Sequence, residues 1–100
     1  MDVQVQAIRF EADKKLLSFI EERLKKLNVF FDQIIDSEVY LRVDKSESNK
    51  NKTVEIKLNI PGKELFAKKQ CKSFEAATDE TIEALRRQLK KHKGKQFEKN

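Results

Sequence analysis

The residues best suited to chemistry are bases gathered near the end of the chain. Arg86, Arg87, Lys90, Lys91 and Lys93, which we call the basic cluster, follow one another with no acid among them. On a helix, which turns about 100° per residue, Arg86 and Lys90 would flank the apolar side while Arg87 and Lys91 lie nearer solvent. Cations arranged in this way can each neutralise one phosphate of a nucleic acid and release its counterions. The spacing therefore predicts a phosphate-binding surface.

A simpler interpretation of the basic cluster is compensation of a helix macrodipole. The acids of the same segment all precede the bases, as the dipole favours; they are Glu75, Asp79, Glu80 and Glu83. The dipole does not account for so dense a cluster, because like charges at i,i+4, such as Arg86 and Lys90, cost a few tenths of a kcal/mol per pair. We therefore favour phosphate binding, with a merely solvated face as the alternative.

Lys25 and Lys26 occupy the end of an earlier predicted helix. If the two helices pack side by side, these lysines could extend the basic cluster. Compensation of the macrodipole of their own helix explains them equally well, so the sequence leaves both interpretations open.

The other reactive side chains do not assemble a catalytic or metal site. His92, the single histidine, is surrounded by lysines, and Cys71 has no second cysteine with which to pair. We expect Cys71 to be a small buried side chain. With only Gly62 and Gly94, a glycine-rich phosphate loop is excluded. The sequence predicts neither enzymatic activity nor a cofactor, a metal or a small-molecule substrate.

Two aromatic residues are predicted on a sheet face that carries bases. Tyr40 and Phe66 alternate with apolar positions and share their face with Arg42, Lys57 and Lys68. Aromatic rings among bases can stack on unpaired nucleobases. They can equally pack across strands or cover a contact with another protein, and these alternatives remain open.

Composition bounds the class of protein. The chain has 100 residues, 38% of them hydrophobic, which suffices for one two-layer core. Its formal net charge of +5 favours an anionic partner. The single cysteine excludes a disulfide-stapled secreted domain. Because we find neither a signal peptide nor an apolar run of the roughly 20 residues that a membrane span needs, we expect a cytoplasmic protein without a membrane partner.

The apolar pattern predicts the element order β-α-β-β-β-α. A first strand alternates Val3, Val5 and Ala7 with glutamines, and Asp13 is the expected N-cap of an amphipathic helix. The apolar stripe of that helix is Leu16, Ile20, Leu24 and Leu27, with Phe19 beside it.

Three further strands and a second helix follow. The strands have period-two apolar positions at Val39, Leu41 and Val43, then at Val54, Ile56, Leu58 and Ile60, then at Leu65, Ala67 and Cys71. Polar residues 45–52 predict a mobile hairpin loop, and Pro61-Gly62 predicts a turn. Ser73 should cap the last helix, whose apolar stripe is Phe74, Ala77, Thr78, Ile82, Leu85 and Leu89. We predict an α+β domain with both helices on one face of a four-stranded sheet.

Four segments carry a resemblance to a known family. They are Lys26-Leu27, Phe31-Asp32-Gln33-Ile34, Leu41-Arg42-Val43-Asp44-Lys45 and Arg87-Gln88-Leu89-Lys90-Lys91-His92-Lys93. In this order and in a β-α-β-β-β-α frame, the chain resembles the ribosome hibernation-promoting factors, also called ribosome-associated translation inhibitors. The resemblance covers nearly the whole length.

The resemblance implies a fold related in shape to double-stranded RNA-binding domains. It also implies binding to ribosomal RNA in the mRNA and tRNA channel of the small ribosomal subunit, and inhibition of translation in idle or starved bacterial cells. Arg87, Lys91, Lys93 and Lys26 match basic positions of the family, whereas Arg86 and Lys90 join them by proximity. Arg42 and Lys45 match a family pattern without an assigned contact.

The chain resembles a short form of this family, because the linker and C-terminal dimerisation domain of the long members are not found in it. We expect a ribosome-binding domain at residues 1–94, a short basic tail at 95–100, and a monomer off the ribosome. Whether it pairs ribosomes or inactivates single ones stays open. The alternatives are a general double-stranded RNA-binding module and a protein-interaction domain that uses the Tyr40 and Phe66 face.

Overall fold

The computed structural model describes residues 1–45 and 48–98, with residues 95–98 described by their backbone alone. Its elements are β1 (Asp2–Ala7), α1 (Lys14–Phe30), β2 (Asp36–Val43), β3 (Lys52–Ile60), β4 (Lys63–Cys71) and α2 (Phe74–Glu98). The predicted order β-α-β-β-β-α is therefore confirmed. Ser46 and Glu47 of the predicted hairpin loop lie outside the described residues, as do Lys99 and Asn100 of the predicted tail.

The four strands form one sheet in the order β1-β2-β3-β4. β1 runs parallel to β2, so α1 is the crossover between them, whereas β2-β3 and β3-β4 are antiparallel hairpins. The second hairpin turns at Pro61-Gly62, as predicted. Gly62 has a φ of 77°, a conformation that glycine adopts without steric cost, and proline presets the preceding position.

Both helices bury their apolar stripes in one core against one face of the sheet. Four residues of α1 are buried there: Leu16, Ile20, Leu24 and Leu27. The sheet contributes alternate residues such as Val39, Leu41, Ile56 and Leu58, and α2 contributes Leu85 and Leu89, all of them fully buried. The α+β prediction with two helices on one face is therefore confirmed.

Side-chain caps define where both helices begin. The backbone N–H of Leu16 donates to Asp13 Oδ1 at 2.8 Å, and the N–H of Ala76 donates to Ser73 Oγ at 3.1 Å. Each cap satisfies a backbone donor that has no partner inside the helix. Both predicted caps are confirmed.

The structure departs from the predicted pattern at three places. Val43, the last residue of β2, is 51% exposed, so the apolar side of β2 is no longer covered where the strand ends. Thr81, absent from the predicted stripe of α2, is buried, and its hydroxyl is satisfied there by donating to the carbonyl of Ala77 at 2.7 Å. Helix α2 also continues through Gly94 to Glu98, so no helix end marks the predicted boundary at residue 94.

Across the described part of the chain, neither helix combines the length and the apolar character that crossing a membrane requires.

Candidate nucleic-acid interface

Helices α1 and α2 lie side by side and run in the same direction. Near the middle of α1, Arg23 Nε contacts Asp79 Oδ1 at 2.8 Å. At the end of α1, the ammonium of Lys93 donates to the carbonyl oxygen of Phe30 at 3.3 Å. The two contacts follow the same order along both helices, with Arg23 before Phe30 in α1 and Asp79 before Lys93 in α2. The C-terminal half of α2 therefore lies beside the end of α1. This packing places the basic cluster beside the second helix, as the predicted extension of the cluster requires.

The basic cluster spreads around the outer half of α2. Arg86 and Lys93 face α1, where both approach the ring of Phe30. Arg87 points outward with a side chain 73% exposed. Lys91 lies about 140° around the helix axis from Arg86, and it lines a shallow depression beside β4. The predicted ridge is therefore a curved surface that presents cations in several directions.

Lys90 is exposed on the outer surface between these two sides. It follows Arg86 by four residues, so the two side chains are neighbours on the same flank of the helix. The predicted position of Lys90 beside Arg86 agrees with the structure.

The charge of the basic cluster is only weakly compensated. Among the side chains that the structure describes, in residues 1–45 and 48–94, Glu83 is the one acid in an ion pair with a member of the cluster, at 3.9 Å from Arg86 Nε and 4.0 Å from Arg87 Nε. Both separations exceed hydrogen-bond length, and such exposed pairs contribute at most about 0.5 kcal/mol. Most of the positive charge therefore stays available to an anionic partner.

Two acids in the first half of α2 have partners of their own, apart from the macrodipole. Asp79 is paired with Arg23, and Glu80 Oε2 accepts a hydrogen bond from Cys71 Sγ at 2.7 Å. The polarised sequence of α2 thus reflects two requirements. Asp79 and Glu80 tie the helix to α1 and β4, whereas Arg86 and Lys93 face α1 and Arg87 points outward.

The side chains of Lys26 and Lys25 lie on different sides of α1. Lys26 is exposed, and it lies three residues after Arg23 and four before Phe30, which places it on the flank of α1 that faces α2. Lys25 instead lines a depression beside β1, together with Met1, Asp2 and Val3. The fold brings Lys26 towards the basic cluster and leaves Lys25 on the other side of α1.

Phe30 is a contact residue that the sequence analysis missed. Its ring lies 5.0 Å from Cζ of Arg86 and 4.8 Å from Nζ of Lys93, measured to the ring centroid. A signal was present in the sequence, because Phe19, Arg23 and Phe30 recur at helical spacing beside the buried stripe. Arg23 also lies over an aromatic ring, at 4.3 Å from that of Phe19. Aromatic residues thus alternate with bases along the junction of the helices.

His92 contacts an aromatic ring, and Cys71 is buried beside a carboxylate. The ring of His92 meets that of Phe31 edge to face, with centroids 5.9 Å apart. Cys71 is buried, as predicted. Burial, the hydrogen bond to Glu80 and the charge of that carboxylate raise the pKa of the Cys71 thiol from 9.0 to about 11. The thiol is therefore protonated near neutral pH and is a poor nucleophile.

The open face of the sheet differs in charge from the helical face. Arg42 pairs with Glu55 on β3, and Lys68 Nζ approaches the same carboxylate at 3.7 Å. The hydroxyl of Tyr40 donates to Glu38 at 3.2 Å. The bases of this face are therefore largely matched by acids within the sheet.

Phe66 lies on the same open face, as predicted, and is 49% exposed opposite Lys57. Tyr40 is two strands away from it, so the two aromatic residues do not form one patch. The carbonyl oxygen of Phe66 accepts a hydrogen bond from Nε2 of Gln88 at 3.0 Å, which ties α2 to the edge strand β4.

Relatives of known name match nearly the whole chain. The ribosome hibernation promoting factor of Pseudomonas putida is 34% identical over 96 residues, covering 96% of this chain and 90% of that protein. That of Escherichia coli K12 is 32% identical over 95 residues, covering 95% and 96%. A ribosome hibernation promotion factor of Deinococcus radiodurans is 33% identical over 91 residues, covering 90% of this chain and 48% of that protein.

Two solved structures have the same fold. The ribosomal subunit interface protein of Coxiella burnetii superposes with a TM-score of 0.83 over 94% of this chain and 99% of its own, at 19% identity. The N-terminal domain of Thermus thermophilus protein Y gives 0.79 over 92% and 99%, at 20% identity. At these identities the likeness bears on the fold alone.

The family match agrees with these relatives and with the resemblance drawn from the sequence. It covers residues 3–96. This range contains all four strands except the first residue of β1, the whole of α1, and α2 except its last two residues. The chain therefore belongs to the Sigma 54 modulation protein / S30EA ribosomal protein family, a family of ribosome-associated factors and not of enzymes.

Proposed function

We propose that this protein is a ribosome hibernation factor that binds the small ribosomal subunit in the mRNA and tRNA channel and inhibits translation in idle or starved cells. The names of its relatives support the hibernation role. The site within the ribosome is our own extension, based on the resemblance and on the charge of the helical face.

The observation that carries the proposal is the weakly compensated basic cluster beside the end of α1. Phosphates of ribosomal RNA are its natural counterpart, because each base can neutralise one phosphate and release a counterion. We assign these contacts to Arg86, Arg87, Lys90, Lys91 and Lys93, supported by Lys26. Lys25, on the β1 side of α1, would need a separate RNA segment to take part.

The mechanism is occlusion and needs no chemical step. A folded domain held in the channel by phosphate contacts excludes the messenger and transfer RNAs that would otherwise occupy it. The protein would then act in the cytoplasm, without catalysis or a cofactor, and as a monomer when it is off the ribosome. In this proposal residues 1–94 bind the ribosome, and residues 95–100 add a short basic extension.

Co-sedimentation on a sucrose gradient tests the proposal. Purified small subunits are mixed with the protein at physiological salt, and its position is compared with that of protein alone. We expect the protein to travel with the small subunit and to compete with messenger RNA for it. Protein that stays at the top of the gradient contradicts the proposal, and equally tight binding to a free RNA duplex would replace it with general duplex binding.

A further inference from the structure

The ring of Phe30 is shared by two cations of the basic cluster. Arg86 Cζ lies 5.0 Å from its centroid and Lys93 Nζ lies 4.8 Å from it. Both distances fall within the roughly 6 Å over which a cation is attracted to the face of an aromatic ring. Because 5.0 and 4.8 Å add to 9.8 Å, the two charges are at most 9.8 Å apart.

Helix capping explains only part of this arrangement. The ammonium of Lys93 donates to the carbonyl oxygen of Phe30, which is a free acceptor at the end of α1. Any residue at position 30 supplies that carbonyl, so capping does not require an aromatic ring. Capping also leaves Arg86 unexplained, since its described ion-pair partner, Glu83, is 3.9 Å away and beyond hydrogen-bond length. The ring is the contact that Arg86 and Lys93 have in common.

Among the side chains that the structure describes, no aromatic ring supports the other members of the basic cluster in this way. The side chain of Arg87 is 73% exposed, against 39% for Arg86. Long basic side chains lose rotamer freedom when they are fixed on a ligand. Arg86 and Lys93 have already lost part of that freedom in the free protein, so less remains to be lost on binding.

We propose that Phe30 is a positioning residue for phosphate recognition, which holds the Arg86 guanidinium and the Lys93 ammonium at a fixed spacing for the RNA backbone. This inference rests on the proposed function. The Arg86 guanidinium and the Lys93 ammonium each lie against the ring on one side, and their remaining N–H donors contact phosphates. Phe30 itself contacts no phosphate, and its effect passes through the two bases.

Three variants at position 30 test this role. Phe30→Leu keeps an apolar side chain and the capping carbonyl but removes the ring, whereas Phe30→Tyr keeps the ring and serves as the matched control. We expect the dissociation constant for small subunits to rise about five- to tenfold for Phe30→Leu, from the ordering cost of two side chains. Phe30→Tyr should stay within about twofold of the wild type, because tyrosine offers a similar aromatic face. Phe30→Met replaces Phe30→Leu if the latter does not fold.

A double-mutant cycle separates positioning from a general structural effect. In a protein that already carries Arg86→Gln and Lys93→Gln, Phe30→Leu should cause no further loss of binding. An equal loss in both backgrounds overturns the inference, since the ring would then act without the two bases. Unchanged binding of Phe30→Leu in the wild-type background also overturns it, while the proposed function stands. Absence of wild-type binding would overturn the proposed function, and the inference with it.

An NMR measurement on the free protein tests the geometry without ribosomes. The ring current of Phe30 should shift the side-chain protons nearest the Arg86 guanidinium and the Lys93 ammonium upfield, and the shift should vanish in Phe30→Leu. Random-coil shifts for both side chains in the wild type would contradict the inference.

Discussion

Reversing the charges of Arg87 and Lys91 should abolish binding to the small subunit while leaving the fold intact. Both side chains are exposed, and Arg87 makes one long contact, 4.0 Å from Glu83. Neither residue belongs to the buried core. The substitutions Arg87→Glu and Lys91→Glu therefore change the surface charge without opening a cavity.

The expected magnitude follows from counterion release. With slopes of about 0.7 to 0.9 per phosphate contact, each lost contact weakens binding about 3.8- to 5.5-fold at about 0.15 M salt, so losing two costs about 14- to 30-fold. Reversal adds repulsion from phosphate to this loss, so binding should fall well beyond 30-fold. Arg87→Glu makes one new like-charge pair with Glu83 at i,i+4 spacing, which destabilises α2 by a few tenths of a kcal/mol. That cost shifts the melting temperature by only a few degrees.

The assay is co-sedimentation with small subunits, with circular dichroism and thermal melting to verify the fold. Lys14→Glu with Lys15→Glu is the matched control, because it changes the net charge by the same amount in the first turn of α1, at the far end from Phe30. Glutamates there also suit the helix macrodipole. Wild-type affinity of the Arg87/Lys91 variant, or an equal loss in the control, would refute the assignment of the contacts to α2.

Four further results are expected. If Lys26 and all five bases of the basic cluster contact phosphates, the logarithm of the binding constant should fall with the logarithm of salt at a slope of about −4 to −5, and a flat response would exclude phosphate contacts. Because the pKa of the Cys71 thiol is raised from 9.0 to about 11, iodoacetamide at pH 8 should alkylate it about 100-fold more slowly than a free thiol. The pKa of the Cys71 thiol is higher in the folded state than in the unfolded state. The contribution of the thiol to stability is therefore complete below pH 9 and is lost as the pH rises towards 11. The difference in free energy of unfolding between the wild type and Cys71→Ala should shrink over that range. Asp13→Ala removes the cap of α1 and should lower the free energy of unfolding by about 1 kcal/mol in urea titrations; unchanged stability would mean that water replaces the carboxylate without cost.

The element order and the core were predictable because they follow from local patterns. Period-two and helical spacing identify which side chains must be buried, and Asp13, Ser73 and Pro61-Gly62 signal where helices begin and a strand ends. The exposure of Val43 was not predictable in the same way. Alternation assigns a side to each residue of a strand, but the cover on that side depends on where the helices end in space.

The candidate interface was predictable along α2 and less so between the helices. The positions of Arg86 and Arg87 around the axis follow from helical geometry alone. The separation of Lys25 from Lys26 and the contact of Phe30 with two bases depend on how α1 and α2 are rotated against each other. That rotation is set by packing of the whole core, which no local pattern encodes.

The pairing of Arg42 and Lys68 with Glu55 on the open sheet face has a consequence for how quickly the protein finds its site. A molecule with free positive charge on one side only experiences a torque near a polyanion, which turns it before contact and raises the fraction of productive encounters. The shortest principal extent of the molecule is 19 Å, more than twice the Debye length of about 8 Å at physiological salt. At that ionic strength the field of each side is screened from the other, so RNA approached by the sheet meets a nearly neutral surface and does not hold the protein in the wrong orientation.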